Sequence, residues 1–61
     1  MIPFYYVIDE RGIVWEDQMT YQNAIEYADA RAVACAGVEF SVHRHADDRQ
    51  VHSAYREIVL L

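Results

Sequence analysis

Only one stretch of the chain carries a helical repeat, and it stands between two stretches that read as β-hairpins. From Tyr21 to Ala36, a rotation of about 100° per residue gathers Tyr21, Ala24, Ile25, Ala28, Ala32 and Cys35 into one stripe, with Gln22, Glu26, Asp29 and Ala30 away from it. Thr20 precedes the stretch as an N-cap, and Gly37 follows it as a left-handed C′ stop. The stripe is mostly alanine, so the backbone of this helix can lie close to whatever it covers. One helix covers one face of a sheet, and the other face then needs an explanation.

The flanking segments supply the sheet. Residues 4–9, Phe-Tyr-Tyr-Val-Ile-Asp, are aromatic and β-branched and predict a strand. Asp9-Glu10-Arg11-Gly12 is a turn with Gly at its left-handed position, and Ile13 to Glu16 returns as the second strand. Pairing Asp9 with Ile13 sets Ile8 opposite Val14 and Val7 opposite Trp15. Residues 38–45 alternate, with Val38, Phe40 and Val42 on one side and Glu39, Ser41, His43 and His45 on the other. Asp47-Asp48 is a second turn, and Gln50 to about Ile58 forms the fourth strand. Pairing Ala46 with Arg49 sets Glu39 opposite Arg56, Phe40 opposite Tyr55 and His43 opposite His52. It also leaves Glu57 on the apolar face, unless a bulge near Arg56 or an early strand end intervenes. The prediction is an α+β fold, ββαββ: a four-stranded antiparallel sheet in the order 2-1-3-4 with one helix on one face.

Composition narrows the function classes. At 61 residues there is room for a single domain, and a chain of this size buries only roughly 60% of the surface its unfolded form exposes. Ten carboxylates face five arginines, lysine is absent, and the net charge is −5. Counterion release from nucleic acid needs a basic groove, so this balance disfavours nucleic-acid binding, even through stacking aromatics on an open sheet face. No run of ~18 apolar residues reads as a membrane span. The start of the chain lacks the pattern of a signal peptide, and Cys35 has no partner for a disulfide or a zinc knuckle, so a cytoplasmic location is the expectation.

The first hairpin is apolar on both sides. Phe4, Tyr6, Ile8 and Val14 lie on one side; Tyr5, Val7, Ile13 and Trp15 lie on the other. Whichever side packs under the helix, the opposite side leaves a patch of the kind that marks an interface. A homodimer is expected, closed either through this face or by pairing of the outer second and fourth strands, neither of which carries Pro or Lys. With the Trp15 side open, Tyr5, Val7 and Trp15 are the candidate anchors for a protein partner. Glu16, Asp17, Glu26 and Asp29, with Gln22, form a candidate acidic strip that steers the chain toward a basic surface, as a mimic of nucleic-acid phosphates would. Val59-Leu60-Leu61 predicts a docked end.

Three histidines are the one chemical constellation. His43 and His45 share a strand face and His52 falls opposite His43, an arrangement similar to the three-imidazole zinc site of carbonic-anhydrase type, with Glu39 or Asp47 as supporting acids. Zinc is thus a candidate cofactor beside the leading expectation of none. Protonation of all three would change the charge from −5 to −2 and gives the same surface a pH response. Cys35 falls on the buried stripe, and Ser41 and Ser53 lie near histidines without a deep pocket, so no enzyme activity is expected. The expected function is a small acidic protein-binding module acting as an inhibitor or accessory regulator, and the profile is similar to that of small phage or mobile-element proteins that block a host machine by binding it.

Overall fold

The computed structural model describes residues 4–60. It contains β1 (Tyr5–Asp9), β2 (Val14–Met19), α1 (Tyr21–Ala34), β3 (Phe40–Arg44) and β4 (Arg49–Ala54). The strands form one antiparallel sheet in the order β2-β1-β3-β4, with α1 across one face.

The helix starts where its cap chemistry demands. The Thr20 hydroxyl accepts the Asn23 N–H at 3.3 Å, and Thr20 itself is extended. The helix ends at Cys35, whose N–H donates to the Arg31 carbonyl at 2.8 Å. Gly37 is left-handed, with φ of 88°, but lies two residues beyond the cap, not at the C′ position. Ala24, Ala28 and Ala32 face the sheet and are buried, so the helix backbone seats directly on Tyr5, Val7, Phe40 and Val42. Larger residues in that stripe would hold the helix off the sheet.

The face beneath the helix is fixed by β3. Only one side of this strand is apolar, and the β1–β3 register places Val7 beside Val42 and Asp9 beside Phe40. Tyr5 and Val7 are therefore core residues, which corrects their expected place on an open face. Trp15 also turns to the helix side. Its ring meets Phe40 edge-on at 5.2 Å, and the Arg31 guanidinium lies over it at 5.5 Å. Trp15 is 36% exposed and forms the lid of one end of the core.

Irregular pairing accounts for the remaining differences from expectation. In β2, Ile8 pairs with Val14 as expected, but Val7 pairs with Glu16 and Tyr5 with Met19, so the strand runs on past Glu16 through two register shifts. Gln18, at φ of 56°, is one of the residues that absorb them. In β4, Phe40 pairs with Ala54, Ser41 with Ser53 and Val42 with His52, and a further shift puts His43 beside Gln50. The expected partners Phe40–Tyr55, Glu39–Arg56 and His43–His52 are each displaced. The strand ends at Ala54, short of Ile58, which removes the conflict of placing Glu57 on the apolar face.

Beyond β4, the Gly37 N–H donates to the Arg56 carbonyl at 2.8 Å and Ile58 packs against Gly37. Val59 and Leu60 are 74% and 89% exposed, which corrects the expected docking of this segment. The expectation for Leu61 lies outside the described residues.

Candidate functional site

The sheet face opposite the helix is laid out as a grid by the strand registers. Val14, Ile8, Ser41 and Ser53 lie across one row, and Tyr6, His43 and Gln50 lie across the next. Phe4 extends the face beyond Tyr6, and its carbonyl accepts the His45 N–H at 3.0 Å. Half of the face is thus apolar, carried by β1 and β2, and half is hydroxyl, imidazole and amide, carried by β3 and β4. Phe4 and Val14 are exposed, Tyr6 and Ile8 half-buried.

Tyr6 is the hub of this face. Its ring stacks on His43 at 5.4 Å and meets His45 at 4.7 Å, and its hydroxyl donates to Asp48 Oδ1 at 2.9 Å. Desolvation, the bond to Asp48 and the nearby charges of Asp48 and Asp17 together hold the phenol above its ordinary pKa, so Tyr6 stays a neutral donor. Asp48 reaches Tyr6 from a left-handed backbone, with φ of 55°, a conformation that Asp tolerates well.

The imidazoles are oriented by their partners. A carbonyl only accepts, so His43 Nδ1 carries the hydrogen shared with the Asp48 carbonyl at 3.2 Å. In neutral His43, Nε2 is then free to accept the Ser41 hydroxyl at 3.1 Å. His45 Nε2 donates to Asp17 Oδ1, and this bond, with the Gln18 N–H, lowers the Asp17 pKa. The result is a connected surface network of Asp17, His45, Tyr6, Asp48, His43 and Ser41.

His52 is not part of it. It pairs with Val42, hence lies on the helix side, where Nε2 donates to Asp29 Oδ1 at 2.9 Å. The three imidazoles of the candidate zinc site are therefore split between two faces. The cause is the register: His52 lies beside Val42, not His43. Among the described residues, no group of three or more His, Cys, Asp or Glu side chains is placed to hold a metal ion.

The acidic strip is divided as well. Asp17 turns onto the open face toward His45, whereas Asp29 pairs with His52 beneath the helix edge. Glu26 lies on the outer helix surface, 3.4 Å from the Gln22 amide, and Glu16 is exposed beside Val7 on β2. The bulge at Trp15 puts Trp15 and Glu16 on the same side and so moves Asp17 to the open face, where uninterrupted alternation from Val14 would have placed Glu16 instead.

Asp9, read from the sequence as a turn residue, has a larger part. Its buried carboxylate accepts the Arg11 and Ile13 backbone N–H groups at 2.8 and 3.2 Å, the Arg11 guanidinium at 2.8 and 3.2 Å, and the Trp15 indole N–H at 3.0 Å. The indole bond leads the causes that hold Asp9 far below the usual carboxylate range. Asp9 thereby holds Trp15 on the helix side of the first hairpin, the side that the β1–β3 register places beneath the helix. The one-sided alternation of β3 shows which of its own residues face the core, and the β1–β3 register then brings Val7 to that side.

No protein-family model matches the chain, and neither the curated proteins nor the solved structures contain a match. No helix among the described residues is long and apolar enough to cross a membrane.

Proposed function

We propose that the chain is a non-enzymatic protein-binding module that presents its uncovered sheet face to a partner and acts, by occupying the partner's surface, as an inhibitor or accessory regulator. The observation that carries this reading is the contiguity of Phe4, Tyr6, Ile8 and Val14 on a face that no element among the described residues covers. Tyr6 suits the role of anchor, because a tyrosine with an oriented hydroxyl contributes both contact area and a directed hydrogen bond. The network around it is assembled in the free chain, so little side-chain freedom remains to be lost on binding.

The partner surface that fits is apolar at its centre and basic at its rim. Asp17 and Asp48 border the Tyr6 cluster, and the net charge of −5 steers encounter with a basic protein.

Affinity capture tests the reading with three baits: the native chain, a Tyr6→Ala/Val14→Ser variant, and a Val33→Ala control on the outer helix. The expected result is a partner retained by the native chain and the control and lost by the double variant, with circular dichroism unchanged in all three. Equal retention by the double variant would remove the open face from the account.

A further inference from the structure

At the end of the sheet nearest the Asp9 turn, an open groove of about 380 Å³ lies between the first hairpin and the segment that follows the helix. It is lined by the apolar groups of Trp15, Cys35, Val38 and Phe40 together with Glu10 and Arg11, both exposed to solvent. That size is at the small end of ligand sites, and suits one or two aliphatic side chains. A second unsatisfied feature begins at its edge. Gly37 lines the groove, Ile58 packs against Gly37, and the chain then runs out as Val59 and Leu60, whose side chains are among the most exposed apolar groups in the protein.

We infer that two copies of the chain exchange these segments, each placing Val59 and Leu60 in the other's groove. Three observations favour a second copy as occupant. The groove and the apolar segment adjoin at Gly37, so a two-fold axis beside that residue brings each segment to the other's groove in one self-complementary contact. Charge is compatible: in such a pair Arg56, just before the apolar residues, would approach Glu10 of the other copy, while Arg11 stays with Asp9. The close seat of Ile58 depends on the bare backbone of Gly37, where a Cβ would lie 2.5 Å from Ile58 Cδ1, so the segment leaves the body of the protein in a fixed direction.

The contact is small, two or three apolar residues per copy, which predicts a dimer that forms at roughly 10 μM to 1 mM rather than a permanent one. It uses neither Tyr6 nor Val14, so its failure leaves the proposed partner-binding face untouched.

Light scattering on the native chain should show molar mass rising from 7.1 kDa toward twice that value over this range. Glu10→Arg alone or Arg56→Glu alone should shift the midpoint at least about tenfold higher, and the two together should restore it. Leu60→Cys, with Cys35 in the groove, identifies the occupant under mild oxidation. Exchange gives a covalent dimer in which Cys35 of one copy is bridged to the thiol introduced at position 60 of the other. The same bridge formed within a monomer would mean that the segment folds onto its own groove, and would overturn the proposal. A constant monomer mass up to 1 mM for the native chain would overturn it as well.

Discussion

The Asp9 carboxylate accepts the Trp15 indole N–H at 3.0 Å across the tip of the first hairpin, and this bond holds the indole on the helix side of the sheet. It holds the indole against Phe40 and under Arg31, where the guanidinium also lies over Tyr27 at 5.2 Å. With Trp15 fixed on the helix side, Ile8 and Val14 are left to the open face.

Replacing Asp9 by Ala leaves two backbone N–H groups, a guanidinium and an indole N–H without their shared acceptor. The expected consequence is a Tm lowered by more than about 10 °C and a red shift of Trp15 fluorescence as the ring leaves its seat. Arg11→Ala, which removes only a largely exposed partner, should cost far less. Equal losses for the two variants would contradict the assigned role of Asp9.

The pH dependence of stability follows from the same residue. Asp9 lies far below its ordinary pKa, Asp17 is lowered by His45, and Asp47 is lowered to about 2 by Arg44. In the unfolded chain these carboxylates titrate near about 3.9, so between about pH 5 and pH 2 the unfolded state binds more protons and stability falls with falling pH. Above about pH 5 their contribution is complete. The Arg44–Asp47 pair is partly exposed and screened, so Asp47→Asn should leave the Tm–pH profile nearly unchanged, whereas Asp9→Asn should flatten it. A native profile that is level down to pH 2 would refute this assignment.

Close approach of the helix to the sheet gives a steric prediction. Ala28 has no exposed surface, and Ala28→Leu should destabilise by about 1–3 kcal/mol in denaturant titrations. Ala30→Leu, on the outer side of the same helix, should stay within about 0.5 kcal/mol.

Gln18 is held at φ of 56° inside β2, a conformation that costs a residue with a Cβ about 1 kcal/mol or more. Gln18→Gly should therefore raise stability or leave it unchanged, contrary to the usual effect of glycine in a strand. A clear loss of stability would mean that the side chain contributes more than the backbone strain takes away.

Element order, strand order and the Thr20 cap were legible because each is written in a local pattern: two alternating pairs of segments, one alanine stripe, one hydroxyl ahead of it. The register was not. A bulge needs one extra residue and leaves the alternation on either side intact, so neither the Trp15–Glu16 step nor the shift beside His43 had a signature in residue type. That one-residue difference carried His52 to the helix side and separated it from His43. The side of the first hairpin that meets the helix was also ambiguous from its own residues, since both sides are apolar. It is decided by a partner 35 positions away in sequence, Val42 beside Val7. The Tyr6 network depends on the Asp48 turn and on Asp17 beyond a bulge, and pairwise spacing does not place either of them.

The central claim, that the face opposite the helix is the one a partner contacts, is most directly tested by site-specific photocrosslinking. A benzophenone amino acid at Val14 samples the open face, and the same probe at Val33 samples the outer helix. The account predicts a discrete crosslinked partner from position 14 and none from position 33. Crosslinking from position 33 with none from position 14 would contradict it and move the binding surface to the helix.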